Sequence, residues 1–205
     1  MRANKQIAEQ PSKREQILKA AVTVFSTRGY RSTLVDEIAQ EAGVAKGTLY
    51  LYFGSKEEMY LEAFRENVEM LHEATLAGMK EGSSAWDKIK AFVAVRLEFG
   101  EAHKDFLRIY LSEFAGTLMG KGEWVEQMKA LLRKESDLLS DVFREGIQAG
   151  QVRALPVEQL VSTLHYTVGG ILASRIAEMR LVEAADLDAD IIVDLLRTGM
   201  GTPEL

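Results

Sequence analysis

Residues 43–59 read GVAKGTLYLYFGSKEEM, and how this stretch divides between inside and outside decides the fold. Leu49 and Phe53 are four apart, one helical turn, so they share a face and favour burial. Ala45, Lys46, Gly47, Thr48 and Tyr50 fall to the other side. A core helix has no need of Lys46 or of tyrosine hydroxyls at 50 and 52. A solvated face has no need of Leu49 or Phe53. The segment reads as a surface that lies against a partner, held from beneath by apolar pins.

Working outward, the whole chain reads as helices. Its three prolines, Pro11, Pro156 and Pro203, stand where helices start or stop. No stretch alternates with period two for long enough to require a sheet. Hydroxyl–x–x–carboxylate capping boxes, which satisfy the orphan N–H groups at a helix start, occur at Ser12/Glu15, Thr33/Asp36, Ser55/Glu58 and Ser84/Asp87. Glycines at 29, 43, 82, 150 and 199 mark stops. The pattern predicts helices over about 12–28, 33–41, 45–52, 55–80, 84–101, 103–119, 123–149, 156–183 and 187–199.

The bulk composition narrows the class. The chain has 205 residues, 47% hydrophobic, with a mean hydropathy of -0.08. It has no cysteine, which excludes disulfides and thiolate sites. No apolar run reaches transmembrane length and the N-terminus lacks a signal-type apolar core, so a cytoplasmic protein is expected. The net charge of -6 is uneven. Residues 1–60 carry nine Lys/Arg against seven Asp/Glu, and the rest carry sixteen against twenty-four. The first part can approach a polyanion and the second would be repelled by one.

The second and third predicted helices are joined by Glu41-Ala42-Gly43-Val44, a glycine turn between two short helices. Ile38, Ala39, Val44, Leu49 and Phe53 supply a core shared with the first helix. The outward set suits a major groove. Ala45 and Gly47 let backbone approach base edges, Thr48 donates, accepts or touches a thymine methyl, and Lys46 reaches a guanine acceptor edge. Tyr50 and Tyr52 offer hydroxyls to phosphates, and Lys56 adds charge at the start of the next helix. Thr33, opening the second helix, belongs with this set.

The run TLVDEIAQEAGVAKGTLYLYFGSKEEMYLEAF, residues 33–64, with Phe25 and Gly29-Tyr30 before it, resembles the N-terminal DNA-binding domain of the tetracycline-repressor (TetR-like) family. The similarity extends over about residues 12–65 without a gap. It implies an all-α protein of about nine helices: a three-helix DNA-binding domain at 1–54, then a helical ligand-binding and dimerisation domain at 55–205. It implies a homodimer on a palindromic operator, most often a repressor released by a small, largely apolar ligand. Tilting of the fourth helix by that ligand would change the spacing of the two reading helices.

Within the second domain the sequence nominates residues but does not decide their roles. Trp86, Phe92, Phe99, Tyr110 and Phe114 either line an apolar pocket or pack as ordinary core. Arg96 shares the apolar face of Phe92 and Phe99. It either meets an anionic ligand group or pairs with a glutamate such as Glu98, Glu101 or Glu113. His165 reads as a buried, hydrogen-bonded histidine or a ligand contact. For the dimer seam, Val161, Val168, Ile171 and Leu172 form a stripe beside Gly169, and Ile191 and Leu195 form another. His72, His103 and His165 lack metal spacing, so no metal is expected, nor any cofactor. No nucleophile elbow, phosphate loop or zincin motif is present, and no catalytic residue is assigned. A helical scaffold for protein partners is the competing reading; steep salt dependence of DNA binding separates the two.

Overall fold

A computed structural model of the chain describes residues 12–117, 123–176 and 188–200, excepting the side chains of 112–117, 123–125, 127, 128, 131, 176 and 200. Nine helices and no strand occur among the described residues: α1 (Lys13–Ser32), α2 (Val35–Glu41), α3 (Lys46–Tyr52), α4 (Lys56–Met79), α5 (Ala85–Ala102), α6 (Lys104–Thr117), α7 (Glu123–Gln148), α8 (Val157–Ile176) and α9 (Ala189–Met200). None is long and apolar enough to cross a membrane.

Caps explain most of the starts. At α1, Ser12 Oγ accepts the Glu15 N–H at 3.2 Å while the Glu15 carboxylate accepts the Ser12 N–H at 2.7 Å. Ser84 and Asp87 do the same at α5, at 3.1 and 3.0 Å. At α4, Ser55 Oγ accepts from Glu58 N–H at 3.0 Å, but the Glu58 carboxylate turns to Gly54 N–H instead. The expected Thr33/Asp36 box is displaced by one residue. Leu34 is the N-cap of α2 and its N–H is taken by Glu37, at 2.9 Å. The displacement has a cause in α1. Gly29, at φ 75°, interrupts that helix without ending it, and the chain resumes helical turns to Ser32. Thr33 then lies beneath the kink, with its hydroxyl donated to Gly29 O at 2.8 Å.

The chain divides into two compact units, Met1–Ala63 and Phe64–Leu205. The division falls after residue 63 rather than 54, because the first two turns of α4 pack with α1. Tyr60 sets its ring edge-on to Phe25 at 4.8 Å, and Glu62 pairs with Arg14 at 2.5 Å. In this first unit Ile17, Phe25, Ile38, Leu49, Phe53 and Met59 are fully buried. Each contributes about 1.5–3 kcal/mol through burial.

The second unit has its own core. Ile89, Phe92 and Val93 of α5 meet Leu139, Val142 and Phe143 of α7, Leu164 and Val168 of α8, and Ile192 of α9. Trp86, near the start of α5, donates its indole N–H to Gln151 O at 3.0 Å, and the Gln151 side chain accepts Ala85 N–H at 2.9 Å. The turn after α7 thereby braces α5 through Trp86, whose ring is partly buried against this core. The dimer stripe is corrected. Val161, Val168 and Leu172 are buried within this chain's own core. A stripe at helical spacing demands cover but does not say whose.

Candidate nucleic-acid interface and polar core cluster

The turn between α2 and α3 is built by hydrogen bonds. Val44 N–H reaches Ala39 O at 3.0 Å and Gly43 N–H reaches Gln40 O at 3.1 Å, a Schellman closure with Gly43 at φ 62°. Gln16 of α1 gives its amide to Ala42 O at 2.9 Å and so holds the turn against α1. This geometry aims α3 outward. Leu49 and Phe53 point in, while Ala45, Lys46, Gly47, Tyr50 and Tyr52 are exposed and Thr48 is half-exposed. A Cβ added at Gly47 would meet nothing within 4 Å, so the outer surface of α3 is clear in its first turn.

Leu51 also lies on this face, 82% exposed, and the sequence reading passed over it. The signal was available. Leu51 follows Leu49 by two residues, about 200° around a helix, so the two cannot share one buried stripe. An exposed leucine beside Gly47 and Thr48 offers an apolar contact of the kind a thymine methyl accepts.

Two expected DNA contacts are corrected. Thr33 is only 1% exposed and its hydroxyl is spent on Gly29, so it faces the interior. Lys56 donates to Tyr30 O at 2.8 Å and Thr33 O at 2.9 Å, and its ammonium sits 4.6 Å from the Tyr30 ring centroid. It closes the carbonyl end of α1 rather than standing ready for a phosphate. Neither role shows in a linear motif, since both depend on backbone acceptors brought in by the kink. Lys46 is held by Asp36 of α2, Nζ to Oδ2 2.8 Å, and that hydrogen bond holds its pKa above the usual lysine value. Arg28 is paired with Glu37 at 2.9 Å.

In the second unit the nominated residues gather around a buried charge. Arg96, 5% exposed, pairs with Glu135, 2% exposed, and donates to Thr75 Oγ1 at 3.3 Å. Its guanidinium lies 3.4 Å from the Phe92 ring centroid. The second Glu135 oxygen meets His72 Nδ1 at 2.5 Å. Tyr110 adjoins the pair. Burial raises its pKa, the Arg96 charge opposes that and the Glu135 charge adds to it. Phe64 stacks on Tyr110. The partner expected for Arg96 among Glu98, Glu101 and Glu113 is corrected to Glu135: Glu98 and Glu101 are exposed on the outer side of α5, and Glu101 pairs with Lys104. The side chain of Glu113 lies outside the described residues, as does that of Phe114. Glu135 was legible by the argument that singled out Arg96, since it shares the apolar face of Leu138, Leu139 and Val142 on α7. Phe99 stands aside, stacked on His103 at 3.9 Å.

His165 stands edge-on to Phe92 at 5.7 Å, and its Nε2 is buried without a hydrogen-bond partner among the described residues, which departs from the first of its two expected readings, a hydrogen-bonded histidine. Burial, then the nearby Arg96 charge, lowers its pKa from 6.5 to about 4, with Glu135 opposing. Between those values the unfolded chain binds a proton that the folded chain refuses. Stability is therefore lost as pH falls from 6.5 to 4, by on the order of 3 kcal/mol for this group. Urea unfolding between pH 7 and pH 4 should show His165→Phe losing less stability than wild type; equal losses would refute the assignment.

Two hollows open on this unit. One of about 260 Å³ is lined by Val68, Glu69, His72, Glu73 and Lys134 and so reaches the His72 end of the polar cluster. A groove of about 490 Å³ runs between α4, α5 and α7 over Leu76, Met79, Leu138 and Val142, and none of the nominated ligand residues lines it. Among the described residues no cluster of His, Asp or Glu is arranged to hold a metal ion.

Comparison with known proteins places the chain. Residues 17–63 match the family model for bacterial regulatory proteins of the tetR family. The fatty acid metabolism regulator protein of Bacillus subtilis (strain 168) is 28% identical over 138 residues, 67% of this chain and 70% of that protein. The HTH-type transcriptional regulator RutR of Escherichia coli (strain K12) is 29% identical over 161 residues, 76% of this chain and 74% of RutR. The crystal structure of the regulator FadR from Bacillus subtilis in complex with stearoyl-CoA superposes with a TM-score of 0.78 at 24% identity, covering 91% of this chain and 98% of that one. With a reading helix held outward from the same matched segment, residues 17–63 form a helix-turn-helix domain of the tetR-family type, and the chain is similar over most of its length to transcription regulators of that kind.

Proposed function

We propose that the protein binds a palindromic operator as a homodimer, represses transcription in the cytoplasm, has no catalytic role, and leaves DNA when a small, largely apolar effector occupies its second unit. The outward display of residues 45–52 over the buried Leu49 and Phe53 carries this reading. Ala45, Lys46, Gly47, Thr48 and Leu51 meet base edges, and Tyr50 and Tyr52 meet phosphates. Two such helices on a two-fold dimer stand about 34–36 Å apart, one turn of the duplex. The faces available for the seam are Tyr166, Gly169, Gly170 and Ile171 on α8 and Ile191 and Leu195 on α9, with Leu195 64% exposed.

The effector site is assigned to the Phe92, Arg96, Tyr110 and His165 cluster. Because Glu135 already neutralises Arg96, an uncharged apolar molecule suits it better than an anionic head group. The similar regulator FadR binds stearoyl-CoA in its crystal structure, so an uncharged molecule carrying a similar long acyl chain is the first probe.

Selection of bound duplexes from random DNA, followed by anisotropy titration, tests the reading. Tyr50→Ala and Tyr52→Ala should weaken every duplex alike. Thr48→Ala and Lys46→Ala should alter the preferred sequence by about ten- to a hundredfold at one position. Four folded variants with wild-type affinity and preference would remove α3 as the reader.

A further inference from the structure

With Lys56 closing the end of α1, the DNA-reading unit needs another cation for phosphate. Lys46 is tied to Asp36, Arg28 to Glu37 and Arg14 to Glu62. A cation already held by carboxylate or carbonyl oxygens releases little of the counterion atmosphere of DNA. The hydroxyls of Tyr50 and Tyr52 can position a phosphate but do not neutralise it. Arg31 differs. It is exposed, and among the described residues it meets no carboxylate. It rises from the short turn that follows the Gly29 kink, and the backbone on both sides of it is fixed. Lys56 Nζ holds Tyr30 O at 2.8 Å and Thr33 O at 2.9 Å, while the N–H and hydroxyl of Thr33 return to Gly29 O at 3.3 and 2.8 Å.

The place of Arg31 suits a phosphate. It precedes Leu34, the N-cap of α2, by three residues, about 10 Å of chain at most. The Lys46–Asp36 pair joins the first turn of α2 to the first turn of α3. Arg31 therefore borders the reading surface at a distance comparable to a major groove, about 12 Å wide, whose rims carry phosphates. We propose that Arg31 is the charged anchor on that rim: its guanidinium takes a phosphate beside the groove that α3 enters. This rests on the DNA-reading role of α3. The planar fork of an arginine matches two phosphate oxygens, and a backbone clamped on both sides has little left to lose on binding. Lys19, exposed midway along α1 and likewise without a carboxylate among the described residues, has no such tie to the openings of α2 and α3 and serves as the control.

The test is the full-length Arg31→Gln protein, titrated by anisotropy against the duplex recovered by selection and against a random-sequence duplex, across a salt series and beside a thermal melt. For each reading helix engaged, the log–log salt slope should become shallower by about 0.9, and both duplexes should bind about eightfold more weakly near 0.1 M salt. The base preferred at each position should not change. Arg31→Lys keeps the charge and should restore the slope, with most of the affinity. Lys19→Gln should keep the wild-type slope and an affinity within about twofold. Arg31→Ala takes the place of the glutamine variant should that one melt low. A slope unchanged by neutralising Arg31, an equal fall with Lys19→Gln, or an altered sequence preference overturns the assignment while leaving the DNA-reading role standing. A wild-type protein that binds no duplex at all overturns both.

Discussion

Replacing Glu135 with alanine should cost the second unit about 3–5 kcal/mol and lower its thermal midpoint by about 10 °C. The reason is the position of Arg96. That guanidinium is almost wholly buried, lies flat on Phe92, and has Glu135 as its counter-charge. Removing the carboxylate leaves a cation in a low-dielectric interior with the Thr75 hydroxyl as its remaining hydrogen-bond partner among the described residues, and takes away the acceptor that His72 Nδ1 meets. The converse experiment separates charge from packing. The paired change Arg96→Met with Glu135→Leu removes both charges and fills the space with apolar atoms, and should be neutral or stabilising by about 1–4 kcal/mol. Urea denaturation followed by circular dichroism measures all three proteins. A single variant losing less than about 1 kcal/mol, or a pair as unstable as the single, would show that the two charges are not coupled.

Gly47→Glu should abolish operator binding, by about a hundredfold or more, while the protein folds at least as well as before. The glycine sits in the first turn of α3 with ordinary helical dihedrals, and a Cβ there meets nothing within the chain. Within a helix, exchanging glycine for glutamate gains about 0.5–1 kcal/mol of propensity. At the DNA surface the same side chain brings bulk and a negative charge to where backbone must approach base edges, and like-charge juxtaposition costs several kcal/mol. Anisotropy on the selected operator, beside a thermal melt, reads both quantities. A variant that melts higher and binds as wild type would mean that the outer face of α3 does not enter a groove.

Much of this architecture could be read from local rules. The Ser12/Glu15 and Ser84/Asp87 boxes placed two helix starts within one residue, because cap chemistry is short-range. The division of α3 into Leu49 beneath and Lys46, Gly47 and Tyr50 outside followed from helical spacing. The misplacements have a common origin in partners distant along the chain. Thr33 was assigned to DNA as a helix-opening hydroxyl, but the kink at Gly29 turned it inward. Lys56 was read as a free cation, and its acceptors are carbonyls more than twenty residues earlier. Arg96 was rightly marked as an oddity on an apolar face, yet its carboxylate lay 39 residues away on α7. Val161, Val168 and Leu172 demanded burial without naming the surface that would supply it.

The stitching of residues 56–63 into the first unit leaves the reader without slack. Lys56 grips the last carbonyls of α1, Tyr60 is wedged against Phe25 and Tyr30, and Glu62 is clasped by Arg14. Gln16 in turn pins the bend from which α3 departs. A tilt of those eight residues is expected to carry the reading helix with it, because each of these contacts would otherwise have to break.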